Sequence, residues 1–531
     1  MNFRNPLVVL SLFLLPALAV APPRDAAAAE QLGKVTFPTS CDPKVQVQFE
    51  RGVAMLHSFW FSAGEKTFRD VLAQDPSCTI ANWGIAAILM SNPLAGQGAS
   101  PKGVAAAQAA IDQGRRVGPK TQRERDYIEA VAAYYQDFST RSERSRQESR
   151  AKAFEALAAR YPDDDEAQIF SALYIAGTQS QADQTYAAYL KAAGILEKQF
   201  VKYPDHPGVA HYLIHSYDAP PIARQGLNAA RRYASIAPAA PHALHMPSHI
   251  FTRLGVWEDS IATNRRSAEA AKKGGEPNEA YHAIDYAVYA LLQLGRDNDA
   301  KREMEEVRKI TDFNPAVRAA PYAIAAMPAR YALERGAWRE AMQLQPQATK
   351  HSYTDAITYF ARALGASRSG DTGAAEKDAA ELARLHKALL DAKDNYWATE
   401  VEVQRLAIAG WIALGLRKPD DALKFMRAAA DLEDKNEKSI VTPGRMLPAR
   451  ELLGDMLLEL KQPAQALKEF EASHVREPNR FRGYNGAARA AEGAGDRRKA
   501  ADYYAKLMAL AKNADSQRPE LARARAYVAQ R

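Results

Sequence analysis

Apolar residues recur along this chain at the three- and four-residue spacing of amphipathic helices, as in the stripe that runs from Phe49 to Trp60. The helix after that stripe carries a small residue, an aromatic residue and a proline, spaced by four and then by eight positions. The same spacing recurs near the C terminus. The positions are Gly64, Phe68 and Pro76 in the first case, and Ala466, Phe470 and Pro478 in the second.

This pattern is typical of the tetratricopeptide repeat, a helix–turn–helix unit of about 34 residues. A helix pair of that size cannot bury its apolar face alone, so successive pairs must stack. The sequence therefore predicts an all-α fold, a right-handed superhelical solenoid of tetratricopeptide-like repeats. We expect N-terminal repeats over residues 30–316, and C-terminal repeats with a capping helix over residues 317–531.

Composition and charge narrow the possible partners. Of the 531 residues 47% are hydrophobic, and the formal net charge of +7 is spread over 70 basic and 63 acidic residues. This small excess of basic residues is too dilute to form the basic patch that is typical of a nucleic-acid-binding protein. Helical-repeat scaffolds present a concave groove, and the leading prediction is that this groove binds a protein or peptide partner.

The first residues predict export. Arg4 precedes an apolar run at residues 7–15, and small residues at 27–29 offer a cleavage site. We interpret residues 1–29 as a signal peptide and expect a periplasmic or secreted protein. No later apolar run has the length that a bilayer crossing needs, so no transmembrane segment is expected after the signal is removed.

The chain has only two cysteines, Cys41 and Cys78. Each lies at the start of a predicted first helix, and the two helices belong to adjacent repeats. In an oxidising compartment this arrangement predicts a disulfide. The alternative is a pair of buried thiols.

Histidines are concentrated in one stretch, because six of the eleven lie between residues 203 and 255. Four of them form two pairs with a spacing of four, and the second pair follows the first by 34 residues. The pairs are His211 with His215, and His245 with His249. They should occupy equivalent positions on neighbouring inner helices, with His211 beside His245 and His215 beside His249, provided that Pro247 lies in the first turn of its helix.

Histidine with carboxylate is a plausible ligand set for zinc, copper or nickel. Asp218 follows His215 by about one turn, and Asp285 lies on the next predicted inner helix with His282. A divalent transition metal held by the four paired histidines with Asp218 or Asp285 is therefore the alternative function. The competing structural interpretation is a network of hydrogen bonds between stacked helices.

Three common enzyme signatures are not present in the sequence, although this leaves the question of catalysis open. Tyr212 stands where the metalloprotease motif H-E-x-x-H needs its glutamate, and there is no phosphate-binding loop or G-x-S-x-G elbow. We predict no catalytic residues, and metal-dependent catalysis belongs only to the metal alternative. The residues expected to line the binding groove are His242, His282, Tyr289, Glu400 and Arg450.

Several segments resemble a family of exported, largely uncharacterised bacterial tetratricopeptide-repeat proteins. They are ERGVAMLHSFWF from Glu50, HYLIHSYD from His211, HALHMPSHIFTRLG from His242, VTPGRMLPARELLGDMLLEL from Val441 and REPNRFRG from Arg476. The segments are spread over nearly the whole chain. The resemblance implies a repeat scaffold, and it supplies no established activity or catalytic residue.

Overall fold

The structure, a computed structural model, describes residues 30–529, and the predicted signal peptide at 1–29 lies outside the described residues. Every regular element within that range is helical. The helices of the first part are α1 (Pro43–His57), α2 (Phe61–Gln74), α3 (Ile80–Leu89), α4 (Pro101–Val117), α5 (Gln122–Tyr135), α6 (Glu143–Arg160), α7 (Asp165–Ala176), α8 (Ala187–Lys202), α9 (Pro207–Ser216), a 3-10 helix (Ala223–Gly226), α10 (Leu227–Ile236), α11 (Pro241–His245), α12 (Pro247–Leu254), α13 (Trp257–Gly274), α14 (Pro277–Gln293) and α15 (Asp297–Val307). The helices that follow are α16 (Ala319–Glu334), α17 (Trp338–Met342), α18 (Ser352–Arg368), α19 (Thr372–Asp391), α20 (Asn395–Gly415), α21 (Pro419–Glu433), α22 (Ala449–Glu459), α23 (Pro463–Arg476), α24 (Phe481–Gly493), α25 (Arg497–Leu510) and α26 (Pro519–Ala529).

Aromatic side chains wedged between glycines join successive helix pairs. Phe68 of α2 lies between Gly52 of α1 and Gly84 of α3, so closely that a Cβ atom on Gly84 would lie 2.5 Å from the ring. Phe470 of α23 occupies the same position between glycines of α22 and α24. The missing side chains let the helices approach, and the ring fills the junction. The predicted all-α solenoid of tetratricopeptide-like helix pairs is confirmed.

Proline sets where many of these helices begin. It lies at the first position of α9, α11, α12 and α14, among others. There the missing N–H costs nothing, because the first backbone donors of a helix have no partner within it. Pro247 is the first residue of α12, as the equivalence of the two histidine pairs requires.

One non-helical segment is buried inside the superhelix. Residues 436–448, which we call the inner loop, connect α21 to α22, and every residue in it except Arg445 is buried. The Tyr286 hydroxyl on α14 donates to the carbonyls of Ile440 and Thr442, each at 3.0 Å. Arg330 on α16 donates to the Gly444 carbonyl at 3.0 Å. Because it contacts helices of different repeats, the inner loop covers part of their inner face.

The chain division expected at residue 316 falls in the connection between α15 and α16. A hydrophobic cluster that includes Val307, Ala320 and Met327 crosses this connection. Whether the two halves fold independently stays a prediction. Among residues 30–529, no helix has both the length and the hydropathy to cross a bilayer.

The predicted disulfide is present. Cys41, just before α1, is bonded to Cys78, in the turn before α3, and their Cα atoms lie 4.6 Å apart. The bond closes a loop of 37 residues that contains one complete helix pair.

Reduction of this bond should lower the melting temperature. A loop of this length constrains the unfolded chain by about 4 kcal/mol in the chain-entropy treatment. Scanning calorimetry with and without reductant measures the effect, and the double variant Cys41→Ser, Cys78→Ser is the control because reductant should not change its melting. Equal melting of reduced and oxidised wild type would contradict the expectation.

Candidate metal centre

Six buried histidines meet where α9, α11, α12 and α14 pack together, and none is more than 8% exposed. They form two sets of three. In each set, one ligand nitrogen from each ring can be chosen so that the three lie within 4.8 Å of one another. The first triad is His211, His215 and His242, and the second triad is His245, His249 and His282.

The two triads share one construction. Each takes a pair with a spacing of four from one inner segment and a third histidine from the next, so α9 and α11 supply the first triad, while α11, α12 and α14 supply the second. Residues four apart on a helix lie one turn apart on the same face, so their rings converge. The sequence predicted that His211 lies beside His245, but the two belong to different triads. The other predicted neighbours, His215 and His249, also belong to different triads, and their ring centroids lie 5.5 Å apart.

Hydrogen bonds on the Nδ1 side orient the rings of the first triad. His211 donates from Nδ1 to the carbonyl oxygen of His57 at 2.6 Å. His242 Nδ1 lies 3.1 Å from the Glu279 carboxylate, which can only accept. Both Nε2 atoms are buried without a hydrogen-bond partner, as are both ring nitrogens of His215. The first triad therefore directs unused lone pairs into the protein interior.

The second triad contains a conflict between two lone pairs. His245 Nδ1 lies 2.7 Å from the side-chain oxygen of Asn264, whose amide nitrogen is committed to the Ser260 carbonyl at 2.7 Å. His249 Nδ1 lies 2.8 Å from the Asp218 carboxylate. Both rings must then carry their proton on Nδ1, so both Nε2 atoms are acceptors, yet they lie 3.1 Å apart. A cation between them would remove the conflict.

Burial disfavours the protonated form of five of these rings. It lowers the pKa of His211, His215 and His245 well below the ordinary value, and neighbouring histidines lower it further. Burial also lowers the pKa of His249, despite the nearby Asp218, and lowers that of His282 to about 3. Neutral imidazole is the form that binds a metal ion.

The two predicted carboxylate ligands lie in different surroundings. Asp218 is behind His249 and also accepts from Arg253 Nε at 2.8 Å. Burial would raise the pKa of Asp218, but Lys438 and Arg253 hold it well below its usual range. Asp285 lies outside both triads, because its carboxylate forms a buried ion pair with Arg330 from the next inner helix.

The residues predicted to line a groove are mostly engaged within the protein. His242 and His282 belong to the triads, and Tyr289 is fully buried and accepts from Arg480 at 2.6 Å. Glu400 pairs with Arg445 of the inner loop. Arg450 pairs with three carboxylates, those of Asp431, Asp434 and Glu469.

A third buried cluster provides an internal comparison. Glu166 accepts from His57 Nε2 at 2.8 Å and from His206 Nε2 at 2.9 Å. The remaining nitrogens are also occupied, since Tyr212 contacts His57 Nδ1 at 2.9 Å and the Val209 N–H donates to His206 Nδ1 at 3.3 Å. Burial would raise the pKa of Glu166, but the two histidines lower it to about 2. This cluster is a satisfied hydrogen-bond network, unlike the two triads.

Sequence reasoning missed the partners behind the rings: Asn264, Glu279 and the carbonyl of His57. The only signal for Glu279 was its position three residues before His282 on a predicted inner helix. A backbone carbonyl 154 positions away leaves no trace in the sequence pattern. These groups become visible only once the helices are stacked.

No family model matches the sequence, and no curated protein matches it. Among solved structures, a chain in the crystal structure of the APC/C hetero-tetramer Cut9–Hcn1 is similar over 91% of this chain and 96% of its own length. The sequence identity is 11% and the TM-score is 0.31. This similarity assigns no function to the present chain.

The metal-free protein should lose stability on acidification. Above pH 7, His211, His215 and His245 are mostly neutral in both the folded and the unfolded chain, so they add little pH dependence to the free energy of unfolding. Below pH 6.5 the unfolded chain binds protons that the buried rings of His211, His215 and His245 exclude. The free energy of unfolding should therefore fall between pH 7 and pH 5, by up to about 1.4 kcal/mol per pH unit for each histidine.

Urea unfolding of protein treated with a chelator, at several pH values in this range, measures the slope. The variant His215→Phe lacks one of the titrating groups and should give a shallower slope. A wild-type stability that is flat or rises on acidification would show that the rings are not held neutral.

Proposed function

We propose that this protein binds transition-metal ions, one at each histidine triad. The observation that carries the proposal is the 3.1 Å separation of His245 Nε2 and His249 Nε2, two acceptors whose opposite nitrogens are both hydrogen-bonded to oxygen. A metal ion with bonds of about 2.0–2.1 Å holds two nitrogen ligands about 3.3 Å apart in a tetrahedral arrangement and about 3.5 Å apart in a trigonal one. The observed separation of 3.1 Å is a few tenths of an ångström shorter than either, so a small rotation of the rings would admit the ion.

A shared proton is the competing explanation for this contact. It would make one ring an imidazolium, and burial disfavours that form because it lowers the pKa of both His245 and His249. The first triad adds independent support, since the Nε2 atoms of His211, His215 and His242 all lack partners. Buried polar atoms without partners are uncommon, and a bound ion is one explanation for a cluster of them.

The groups behind the rings also fit a metal centre. Metal-binding histidines usually donate their other N–H to a carboxylate or a backbone carbonyl, which fixes the tautomer and the ring direction. Glu279, Asp218 and the His57 carbonyl have this role here. The residues therefore fit zinc, copper or nickel, which favour imidazole nitrogen.

Export is part of the proposal. The Cys41–Cys78 disulfide supports an oxidising compartment, the periplasm or the outside of the cell, for a protein whose sequence resembles exported bacterial repeat proteins. Free thiols, which would compete for the metal, are kept reduced in the cytosol and are not maintained in an oxidising compartment.

The untagged protein should bind two metal ions per chain, one for each triad. His215→Ala should remove the ion of the first triad, and His282→Ala that of the second, because each leaves only two ligands. Elemental analysis after equilibration with zinc, copper or nickel and desalting counts the ions directly.

The matched control is His206→Ala, which removes a histidine of the satisfied Glu166 network that is just as buried. This variant should lose stability and keep both ions. If wild type retains no metal, or if all three variants retain the same amount, the proposed function is wrong.

A protein or peptide partner is the second candidate function, and one observation favours its location. A cleft of about 960 Å³ opens between the segment before α1 and the starts of α5, α7 and α9. Its lining carries both charge signs and two tyrosines, Tyr161 and Tyr203, a residue type enriched where partners bind. The fold is commonly an interaction scaffold.

Peptides selected from a random display library should contact Lys34 at the edge of this cleft, whose side chain is 85% exposed. We expect Lys34→Glu to weaken binding of a selected peptide by roughly threefold or more. The control Lys44→Glu changes an exposed lysine outside the cleft and should have no effect. Equal affinities for the two variants would place the peptide elsewhere.

A further inference from the structure

We propose that the ion held by each triad is monovalent copper, a step that rests on the metal-binding function proposed above. Three properties of the triads support it: the charge of the ligands, their number and their surroundings. Each property distinguishes monovalent copper from the divalent ions that also favour imidazole.

The ligands carry no negative charge. Each triad consists of three imidazoles, and no carboxylate or thiolate belongs to either group among the residues that the structure describes. The nearby carboxylates are already engaged, since Asp218 contacts Arg253 at 2.8 Å and Lys438 at 3.6 Å. Desolvation cost scales with the square of the charge, so a monovalent ion costs about one quarter as much to bury as a divalent ion.

The number of ligands also favours monovalent copper. A zinc ion held by three histidines takes a water molecule as its fourth ligand, and divalent copper prefers a tetragonal arrangement of nitrogen and oxygen. Monovalent copper has a filled d shell and is stable with three ligands in a trigonal arrangement. A triad supplies that number from protein side chains alone.

Aromatic rings pack against the histidine rings of both triads. Phe59 lies 4.4 Å from His211 and 5.4 Å from His242, measured between ring centroids. Tyr286 lies 4.7 Å from His245 and 5.2 Å from His249. Such apolar walls disfavour a water-rich divalent ion and protect a monovalent ion from oxidation by excluding solvent.

Thiolate, the ligand that monovalent copper otherwise favours, is not offered by this chain. Its two cysteines are joined to each other in the disulfide. The triads bring together six of the eleven histidines of the chain.

The test is a competition on the untagged wild-type protein under anaerobic conditions. Monovalent copper, kept reduced with ascorbate, is titrated into a solution of the protein and a chromogenic copper(I) chelator. Excess zinc is then added to the copper-loaded protein. We expect two copper ions per chain and no displacement of the copper by the excess zinc. X-ray absorption at the copper edge should show three nitrogen neighbours and no sulfur.

Zinc that displaces the copper, or divalent copper that binds more tightly than monovalent copper, overturns the assignment and leaves the metal-binding function standing. Retention of no metal of any kind overturns both. The variants His215→Ala and His282→Ala, checked for helical content by circular dichroism, should each bind one copper ion. Because the competition itself needs only wild-type protein, the test does not depend on how well the variants fold.

Discussion

A helix pair in this chain has an apolar face that only the next pair can cover. The wedge of Phe68 between Gly52 and Gly84 shows how the junction is made, and Phe470 repeats it about four hundred positions later. The order of the helices, and with it the spacing of every side chain on the inner face, follows from this requirement. The histidine triads depend on it directly, because each one spans a junction between inner helices.

Stacking alone does not satisfy the polar groups of the inner face. The inner loop supplies the missing partners: its carbonyls accept from Tyr286 and Arg330, and Glu437 accepts from Arg253 at 3.4 Å. These bonds satisfy three of the carbonyls that a buried segment without regular structure would otherwise leave unpaired. The same loop brings Lys438 close to Asp218, so a segment from the second half of the chain helps to set the charge behind His249.

The periodic features were predictable from the sequence. The four-then-eight spacing identified the repeats, and the two cysteines at equivalent places in adjacent repeats were correctly paired. Pro247 was correctly expected in the first turn of a helix. These inferences succeed because helical period and proline geometry are local properties.

The features that failed to follow from the sequence depend on ring direction and on distant contacts. Spacing put His211 and His245 on equivalent positions, but it could not show that each ring turns toward its neighbour one turn away and toward a third histidine. The sequence made Asp285 a reasonable candidate ligand. In the fold its carboxylate pairs instead with Arg330, which lies 45 positions later in the chain. The inner loop has no periodic pattern of apolar residues, so its burial could not be predicted from the sequence.

The satisfied cluster around Glu166 and the two triads use the same residue type at similar burial, and differ in the balance of donors and acceptors. In the former every acceptor meets a donor, whereas in the latter acceptors outnumber donors. Counting protons on buried imidazoles therefore distinguishes a satisfied histidine network from one with unpaired acceptors, a difference that burial and spacing do not reveal.

The shared construction of the triads has a consequence for how such a cluster can arise. A cluster assembled across the junction of two repeats needs a histidine pair from one repeat and a single histidine from the next. The pairs are offset by 34 residues, the length of one repeat, whereas the third histidines, His242 and His282, are 40 residues apart. Adding a repeat that carries such a pair would therefore extend the row of buried histidines together with the fold, without the invention of a new pocket.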